Sequence, residues 1–496
     1  MRITSKMMMD NSLYHINNNK LKYDELNTQL TTEQKIQRPS DDPIIAVRAL
    51  RLRTTYSQIT QYLERNIKDA NAWMDSTEQA LDSIEKVLGD ITYYIEQGAN
   101  GDLEEKDKAT IANTLATYRD QLFATANADY AGRTIFTGYK TDRQLTFVKD
   151  DPNAKFTMTQ NFKYDNIRKE TRISNALDIS QVSAANISTL NVSSIANPEY
   201  NELYVVRLGY EKLDAGTPSV DIYKDDGTGN IVLADTVMTV AKSASDPDAF
   251  APGDNDAYFI AETGEIVMGK NVYAKFEDCD RFETTYSKTG FKSGDLNPIH
   301  YFDCTDNTDP ANPIVYTSEN QKIEYEVSFN QNMHINLQGK DVFQHDMTRD
   351  IDELADTVNF AMTAQDKVNK IQTMYDSSTN ASDKKKLEEL LNIANQELDY
   401  ATDRMNKMFS AGLTKYHNHQ TTVANARADI GARQMRLELT ETRLTAQQLT
   451  VRNLKSTNEE VNTVNIAVQM KEASSVYDAS LAAAAKLVQK SLLDFL

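Results

Sequence analysis

A row of apolar residues along 45–95 constrains this chain more than any other feature. It covers 50 residues in 14 steps of three or four, about 3.57 residues per step, between the periods of a straight helix and a coiled coil. A helix of that length measures roughly 80 Å, more than a compact single-core domain needs. The sequence therefore predicts a helical bundle or rod here, ended by Gly98 and Gly101 and followed by a second helix from about 103 to 130. The row consists of Ile45, Ala49, Leu52, Tyr56, Ile59, Leu63, Ile67, Ala70, Met74, Thr77, Leu81, Ile84, Leu88, Ile91 and Ile95.

The stretch KIQRPSDDPIIAV, residues 35–47, predicts a break before that helix. Pro39 disfavours a helical conformation in the residue before it, so a first helix should end at about Gln37. Pro43 suits the first position of a new helix, and Asp42 can cap it. Asp41 should add negative charge at the positive end of the helix dipole. The predicted loop consists of Pro39, Ser40, Asp41, Asp42 and Pro43.

Prolines lie only at 39, at 43 and within 152–313. This distribution predicts helices at both ends of the chain and a middle that is rich in turns. Helices are predicted at about 347–375 and 384–455. In the second of these, apolar residues recur every seven positions: Val423, Ile430, Leu437, Leu444 and Val451. A last amphipathic helix follows from about 456, with the stripe Ile466, Met470, Ala473, Tyr477, Leu481, Ala484, Val488, Ser491 and Phe495.

The middle of the chain has the alternation typical of strands. VDIYKDDGTGNIVLAD predicts a hairpin with its turn at 225–230, and QKIEYEVSFN alternates Ile323, Tyr325, Val327 and Phe329 on one face. Two similar segments begin near 156 and 315. We expect them to be flanking strands of one β domain, with the residues between them inserted.

Charge excludes some partners. The net charge of −20 argues against nucleic acid. Residues 1–57 carry +3, residues 431–496 carry +1 and the remainder −24, so the near-neutral ends suit packing against each other.

No apolar run approaches the length of a membrane span, and the first residues lack the apolar core of a secretory signal. Cys279 and Cys304 could form a disulfide or remain free.

No catalytic, cofactor or metal site is predicted. His417 and His419 lie two residues apart, which places them on different faces of a helix, and we interpret HNH as part of a surface helix. The acidic turn DDGTGN is explained by a hairpin. The chain has no phosphate-binding glycine loop, no nucleophile elbow and no HExxH motif. We therefore expect a protein that acts by assembly and is not an enzyme.

Several segments together resemble the flagellin superfamily of bacterial flagella, and within it the subunits that join hook to filament. At the N-terminal side these are MRITSKMM, QRPSDDPIIAVRALRLR, YLERNIKDANAWMDSTEQALDSIEKVL and LFATANADYAGRTIFTGYKTD. Further along they are GKDVF, IGARQMRLELTETRLTAQQL and ASLAAAAKLVQKSLLDFL. The resemblance covers about residues 1–150 and 335–496.

The resemblance implies a mainly α fold with a β insertion. Both chain ends would pair as an inner coiled coil (1–37 with 456–496) beside a helical bundle (38–145 with 341–455). A β-rich outer domain would span 146–340, and the loop at Pro39–Pro43 would separate coiled coil from bundle.

The resemblance also implies function and partners. The chain would form a ring of its own copies at the hook–filament junction, with a hook-associated protein on one side and flagellin on the other. It would be exported through the flagellar type III apparatus without a cleaved signal, and would lie outside the cell with no membrane or nucleic-acid contact. An export chaperone would hold the last helix, whose candidate contact residues are Ile466, Met470, Tyr477, Leu481, Val488 and Phe495.

Three alternatives remain open at this point. The chain could be a filament subunit, which copy number along the flagellum would distinguish from a junction subunit. A coiled-coil signalling or adhesion protein would need a membrane anchor. An enzyme within the β insertion would show activity in a substrate screen of residues 150–335.

Overall fold

The computed structural model describes residues 5–100, 105–183, 186–246 and 248–493, without the side chains of residues 5, 105, 181 and 487–493. The predicted helix end at Gly101 and the residues Leu103 and Phe495 lie outside these ranges, and so does the side chain of Val488. The helices are α1 Ser5–Thr32, α2 Pro43–Gln61, α3 Ile67–Ala99, α4 Glu105–Ala126, α5 Lys270–Ala274, α6 Gly339–Val342, α7 His345–Ser377, α8 Ala381–Glu459 and α9 Thr463–Leu493.

The strands lie between α4 and α7. They are β1 Asp129–Tyr130, β2 Arg133–Thr134, β3 Asp151–Phe162, β4 Ile167–Ser174, β5 Glu199–Arg207, β6 Ser219–Asp225, β7 Ile231–Met238, β8 Val240–Lys242, β9 Ala257–Ile260, β10 Glu265–Met268, β11 Arg281–Phe291, β12 Asp303–Asp306, β13 Ile314–Tyr316, β14 Glu324–Ser328 and β15 Gln331–His334. The mainly α architecture with a central β insertion is confirmed.

The chain divides into two compact units. The first takes residues up to 71, residues 325–333 and residues from 435 onward; the second takes 72–324 and 334–434. Within the first unit α1 packs along α9. The second unit contains the two larger sheets and most of the buried apolar side chains.

The apolar row along 45–95 is the buried face of α2 and α3, since its members from Ile59 to Ile95 are all buried. The row is not carried by one uninterrupted α-helix, because a π-helical turn at Tyr62–Asn66 separates α2 from α3. The row itself shows why. Its steps alternate four and three throughout, except that Ile59, Leu63 and Ile67 follow at two successive steps of four. A π turn accommodates this one extra residue and keeps the same face buried.

Two predicted helix ends are wrong. The first helix ends at Thr32 and not near Gln37, because Glu33 takes a left-handed conformation (φ 57°). The second predicted helix ends at Ala126 instead of continuing to Tyr130. Asn127 there donates a side-chain hydrogen bond to Thr146 (2.6 Å), and a tight hairpin with positive φ at Ala131 and Gly132 follows.

Strands form two larger sheets in the second unit. One has the order β13-β12-β3-β11-β6-β7 and the other β4-β5-β10-β9-β8. Between them lies an apolar core that includes Met158, Ile222, Phe259, Phe276 and Phe282. The predicted hairpin is confirmed as β6 and β7, with positive φ at Gly227 and Gly229 in its turn.

The expectation for the two similar segments is wrong. The first covers the second half of β3, in the interior of the six-stranded sheet, and all of β4, at the edge of the five-stranded sheet. The second begins in β13 and ends in the separate hairpin of β14 and β15. Val327 is buried in that hairpin, but Phe329 lies beyond the end of β14 and is 74% exposed. Strand pairing depends on partners distant in sequence, which two locally similar patterns do not specify.

Candidate assembly interface

The terminal helices α1 and α9 form an antiparallel pair. Ile16 and Leu26 are the buried apolar residues of α1, and Asn19 donates a hydrogen bond from Nδ2 to Oγ of Ser480 (2.7 Å). On α9 the half-buried face carries Ile466, Met470, Ala473, Tyr477, Ser480 and Ala484. Three of the six candidate contact residues, Ile466, Met470 and Tyr477, are therefore on the face that packs.

Leu481 lies at the edge of that face, about 60° around the helix from Ile466, and 43% of it is exposed. Ser480 and Ala484 occupy the packed positions in its turn of the helix. Two candidates remain. Val488 lies in α9, but the structure does not describe its side chain, and Phe495 lies outside the described residues.

Exposed large apolar side chains are concentrated on helices of the first unit. Soluble surfaces carry such residues singly, and rows of them on neighbouring helices indicate an interaction surface. On α1 and α2 they are Met7, Met8, Met9, Leu13, Tyr14, Leu21, Ile44, Val47 and Leu50. On the end of α8 and on α9 they are Met435, Leu439, Leu449, Leu454, Val464, Val468, Val476 and Leu481.

Two interruptions of the terminal helices lie side by side, at residues 33–42 and 460–462; we call them the double break. The backbone N–H of Lys35 donates to the carbonyl of Glu459 (2.8 Å), and that of Val461 donates to the carbonyl of Glu33 (3.0 Å). Gln34 and Glu460 form an antiparallel bridge. The two chain segments are thus joined by strand-like hydrogen bonds at the point where both helices stop.

Side chains of the proline loop fix its shape. Asp42 caps α2, because its Oδ1 accepts from the N–H groups of Ile44 (2.9 Å) and Ile45 (3.1 Å), and Pro43 is the first helical residue. Asp41 acts within the loop instead of at the helix end. Its Oδ2 accepts from the N–H groups of Arg38 (2.8 Å) and Gln37 (3.0 Å), and these bonds hold its pKa below the usual value.

An ion pair clamps α2 to the end of α8 directly beside the double break. Arg53 donates from Nε to both carboxylate oxygens of Glu459 (3.0 Å each) and from Nη2 to Oε2 (2.6 Å). Asn458 donates from Nδ2 to the carbonyl of Ile45 (3.1 Å). These residues carry no recognisable motif and were not predicted; only the complementary charges of Arg53 and Glu459 could have suggested the pair.

The π turn binds the hairpin of β14 and β15. The hydroxyl of Tyr62 donates to Oε1 of Glu326 (3.0 Å), and Asn66 donates from Nδ2 to the carbonyl of the same residue (2.7 Å). From the other side, Arg443 donates to Oε1 of Gln331 (2.9 Å). The extra residue in the apolar row therefore coincides with a docking point, as is common for π turns.

The second unit contains a group of carboxylates that could in principle hold a metal. Oxygen atoms of Glu170, Glu265 and Glu353 lie within 4.8 Å of one another. Arg172 fills this position, because its Nη2 donates to all three (2.8, 2.7 and 2.7 Å). Burial acts to raise the pKa of Glu353, but Arg172 and Arg207 outweigh it and lower that pKa to about 2. The guanidinium supplies the positive charge that a metal would bring.

Asp350 extends the same buried network toward α8. It pairs with Arg207 and Lys415 (2.8 Å each) and lies 3.7 Å from Nε2 of His419. His419 is buried, which corrects the interpretation of HNH as a surface segment; His417 is exposed. Both cysteines are free thiols, and burial raises the pKa of Cys304 to about 12.

Comparison with known proteins shows what the two ends of this chain are similar to. The bacterial flagellin N-terminal helical region matches residues 3–141, and the bacterial flagellin C-terminal helical region matches residues 413–496. The N-terminal and C-terminal parts of the chain are therefore similar to the helical regions of bacterial flagellin. No helix among the described residues has an apolar stretch long enough to cross a bilayer.

The chain is also similar to flagellar hook-associated protein 3. It is 34% identical to the protein from Salmonella typhimurium and 32% identical to that from Escherichia coli, in each case over 144 residues, 29% of this chain. The match spans 45% of the length of each relative. A solved flagellar junction protein from Legionella pneumophila shares 11% identity, with 84% of this chain and all of that chain covered at a TM-score of 0.29.

Proposed function

We propose that this chain is a structural subunit of the bacterial flagellum that forms the junction between hook and filament by assembling with its own copies in a tubular lattice. The observation that carries the proposal is the antiparallel pair of α1 and α9, whose outer sides carry rows of exposed apolar residues. Such rows are costly in a free subunit and favourable when neighbouring subunits bury them. The similarity to hook-associated protein 3 favours a junction over other flagellar roles.

The double break gives the subunit a mechanical division. A helix that ran unbroken from α1 into α2 would fix the terminal pair to the bundle. The two breaks are joined by a few backbone hydrogen bonds. Such a connection would hold the terminal pair in place and permit a change in the angle between the pair and the bundle. We propose that the inner coiled coil comprises 1–37 and 456–496, the bundle 38–145 and 341–455, and the outer domain 146–340. A junction subunit that contacts two different structures benefits from such an adjustable connection.

The partners belong to the same proposal. A hook-associated protein would lie on the hook side and flagellin on the filament side. Before export, a chaperone would cover the apolar face of the last helix, including Ile466, Met470, Tyr477, Leu481, Val488 and Phe495. Export would use the flagellar type III route without a cleaved signal, and the subunit would act outside the cell. Nothing in this role requires catalysis.

A filament subunit is the alternative, since its terminal helices would serve equally well. A filament subunit and a junction subunit differ in copy number and in their position along the flagellum. Immunogold labelling of isolated flagella, combined with quantitative mass spectrometry, should place the chain in a short band at the tip of the hook in a small fixed number of copies. Labelling along the whole filament would contradict the junction assignment, and absence from flagella would contradict both.

A further inference from the structure

The six-stranded sheet of the second unit has two open edges. Among the described strands, β7 and β13 each pair on one side only. Three successive apolar residues of β7, Ile231, Val232 and Leu233, are 53%, 44% and 54% exposed. In β13, Ile314 and Val315 are 51% and 72% exposed, and Tyr316 follows. We call residues 231–233 the β7 edge and residues 314–316 the β13 edge.

Only a short part of β7 is open to pairing. Leu233 pairs with Tyr223 and Asp235 with Ile222, so Ala234 is an extra residue that bulges from the strand. Asp235 also forms an ion pair with Lys275 (3.0 Å). Bulges and charges are the usual protection of an edge strand, and both lie after Leu233. The unprotected remainder is three residues long, the length of β13.

The directions of the strands make the two edges complementary. Every neighbouring pair in this sheet is antiparallel. A sheet with an even number of antiparallel strands has edges that run in opposite directions. When a second copy is placed beside the first in the same orientation, its β13 edge therefore meets the β7 edge antiparallel, and the hydrogen-bonding pattern continues across the boundary.

The size of the contact indicates which partner fits. Three residues on each side bury far less than the roughly 1,200 Å² of a stable independent interface. Such a contact forms only between chains that are already held together, where the effective concentration is high. This favours another copy in an assembly over a free soluble protein.

We propose that the β7 edge of one copy pairs with the β13 edge of the next, so that the six-stranded sheets form a continuous β structure around the assembled ring. The inference rests on the proposed function, which places copies side by side. Because the two edges differ, the contact is heterologous, and its repetition gives a closed ring or a helix instead of a dimer.

Cross-linking in assembled flagella tests the pairing. A chain carrying both Val232→Cys and Val315→Cys, treated with a short bis-maleimide, should give a ladder of dimers, trimers and higher species. The matched controls are the wild-type chain, with Cys279 and Cys304 only, and each single variant, none of which should form the ladder. A dimer from Val232→Cys alone would show symmetric pairing and overturn the proposal.

A second variant covers the case in which the cysteine chains assemble poorly. Val232→Lys should block the edge, leave thermal unfolding of the monomer unchanged and lower the resistance of isolated junctions to detergent by about tenfold in half-life. Tyr93→Lys, an exposed apolar-to-lysine control on α3, should not lower it. Normal resistance with Val232→Lys, or no ladder in flagella that contain the labelled chain at the hook tip, would overturn the edge pairing and leave the junction assignment intact. Absence of the chain from flagella would overturn both.

Discussion

Asp350 illustrates how single residues hold the second unit together. Its side chain is buried, with Arg207 and Lys415 at 2.8 Å and Arg168 and His419 at 3.7 Å. Burial alone would raise its pKa, but the charge of Arg207 prevails and the pKa lies far below the usual value. The carboxylate therefore joins a strand residue, Arg207, to two helices, α7 and α8.

Asp350→Asn should lower the free energy of unfolding at pH 7 by about 3–5 kcal/mol, because it leaves buried cations without a counter-charge. The pH dependence has a definite sign. A carboxyl whose pKa is lowered in the folded state stabilises fully above its unfolded pKa of about 4, and this contribution disappears as the pH falls through the folded value. Urea unfolding between pH 7 and pH 2 should thus show a smaller acid loss in the variant than in the wild type.

Asp90 is an exposed carboxylate on α3, and Asp90→Asn is the matched control. It should leave the free energy of unfolding at pH 7 and the loss of that free energy in acid unchanged. An Asp350→Asn protein as stable as the wild type, or one with the same acid loss, would show that the buried ion pairs do not contribute as argued.

At the scale of elements, α2, the π turn and α3 form one helical path with one residue too many for a regular row. The irregularity is visible in the sequence as two consecutive steps of four, at Ile59, Leu63 and Ile67. The structure absorbs it at Tyr62–Asn66, where Tyr62 and Asn66 bind Glu326. The extra residue in the apolar row therefore lies in the turn that binds the hairpin of β14 and β15.

Deletion of the exposed residue Glu64 should therefore convert the π turn into ordinary helix and restore the alternation of threes and fours. The expected loss in unfolding free energy is about 1–2 kcal/mol, from the two hydrogen bonds to Glu326. Deletion of exposed Ser83 is the control; it rotates Ile84–Ile95 by about 100° and should cost more than about 4 kcal/mol. Thermal melts followed by circular dichroism measure both. Equal losses would mean that the π turn does not accommodate a spare residue.

The double break is a second element whose role can be isolated. Val461→Pro removes the N–H that donates to Glu33, a loss of about 1 kcal/mol at the bridge between the segments that join α1 to α2 and α8 to α9. Thr463→Pro is the control, because proline at the first position of α9 removes no needed donor. Limited proteolysis should cut α1 faster in the first variant than in the second, while thermal unfolding of the second unit stays similar in both. Equal cutting of α1 would argue against the backbone bridge as the connection.

At the scale of the whole molecule, residues of the second unit form the main apolar cores, and the described residues of the terminal helices α1 and α9 do not contribute to them. The second unit has its own apolar cores, whereas α1 buries only Ile16 and Leu26 among its described apolar residues. Loss of the last part of α9 should therefore affect assembly and leave folding of the rest intact.

Truncation after Ser480 removes Leu481, Val488 and Phe495, whose burial against a partner could supply roughly 5–8 kcal/mol before ordering costs. The truncated chain should keep its circular dichroism and melting temperature, lose chaperone binding and incorporation, and leave cells that shed flagellin. The point variant Leu481→Asp should show part of this loss, whereas Ala483→Asp, on the far side of the same turn, should not. Unchanged chaperone affinity and normal junctions after truncation would contradict the role of this face.

The amino-acid sequence determined the features that depend on neighbours within one or two helical turns. Asp42 and Pro43 begin α2 through contacts with the next three residues, and the steps at Ile59, Leu63 and Ile67 specify the π turn. Tertiary structure decided what depends on distant partners. Glu33 is left-handed where its carbonyl accepts a hydrogen bond from Val461. Arg172 replaces a metal because two strands, β4 and β10, and the helix α7 bring three carboxylates to it. β3 lies inside a sheet while the later part of the similar segment that begins near 315 forms its own hairpin. The strands that flank β3 come from residues more than a hundred positions away, and no local pattern specifies them.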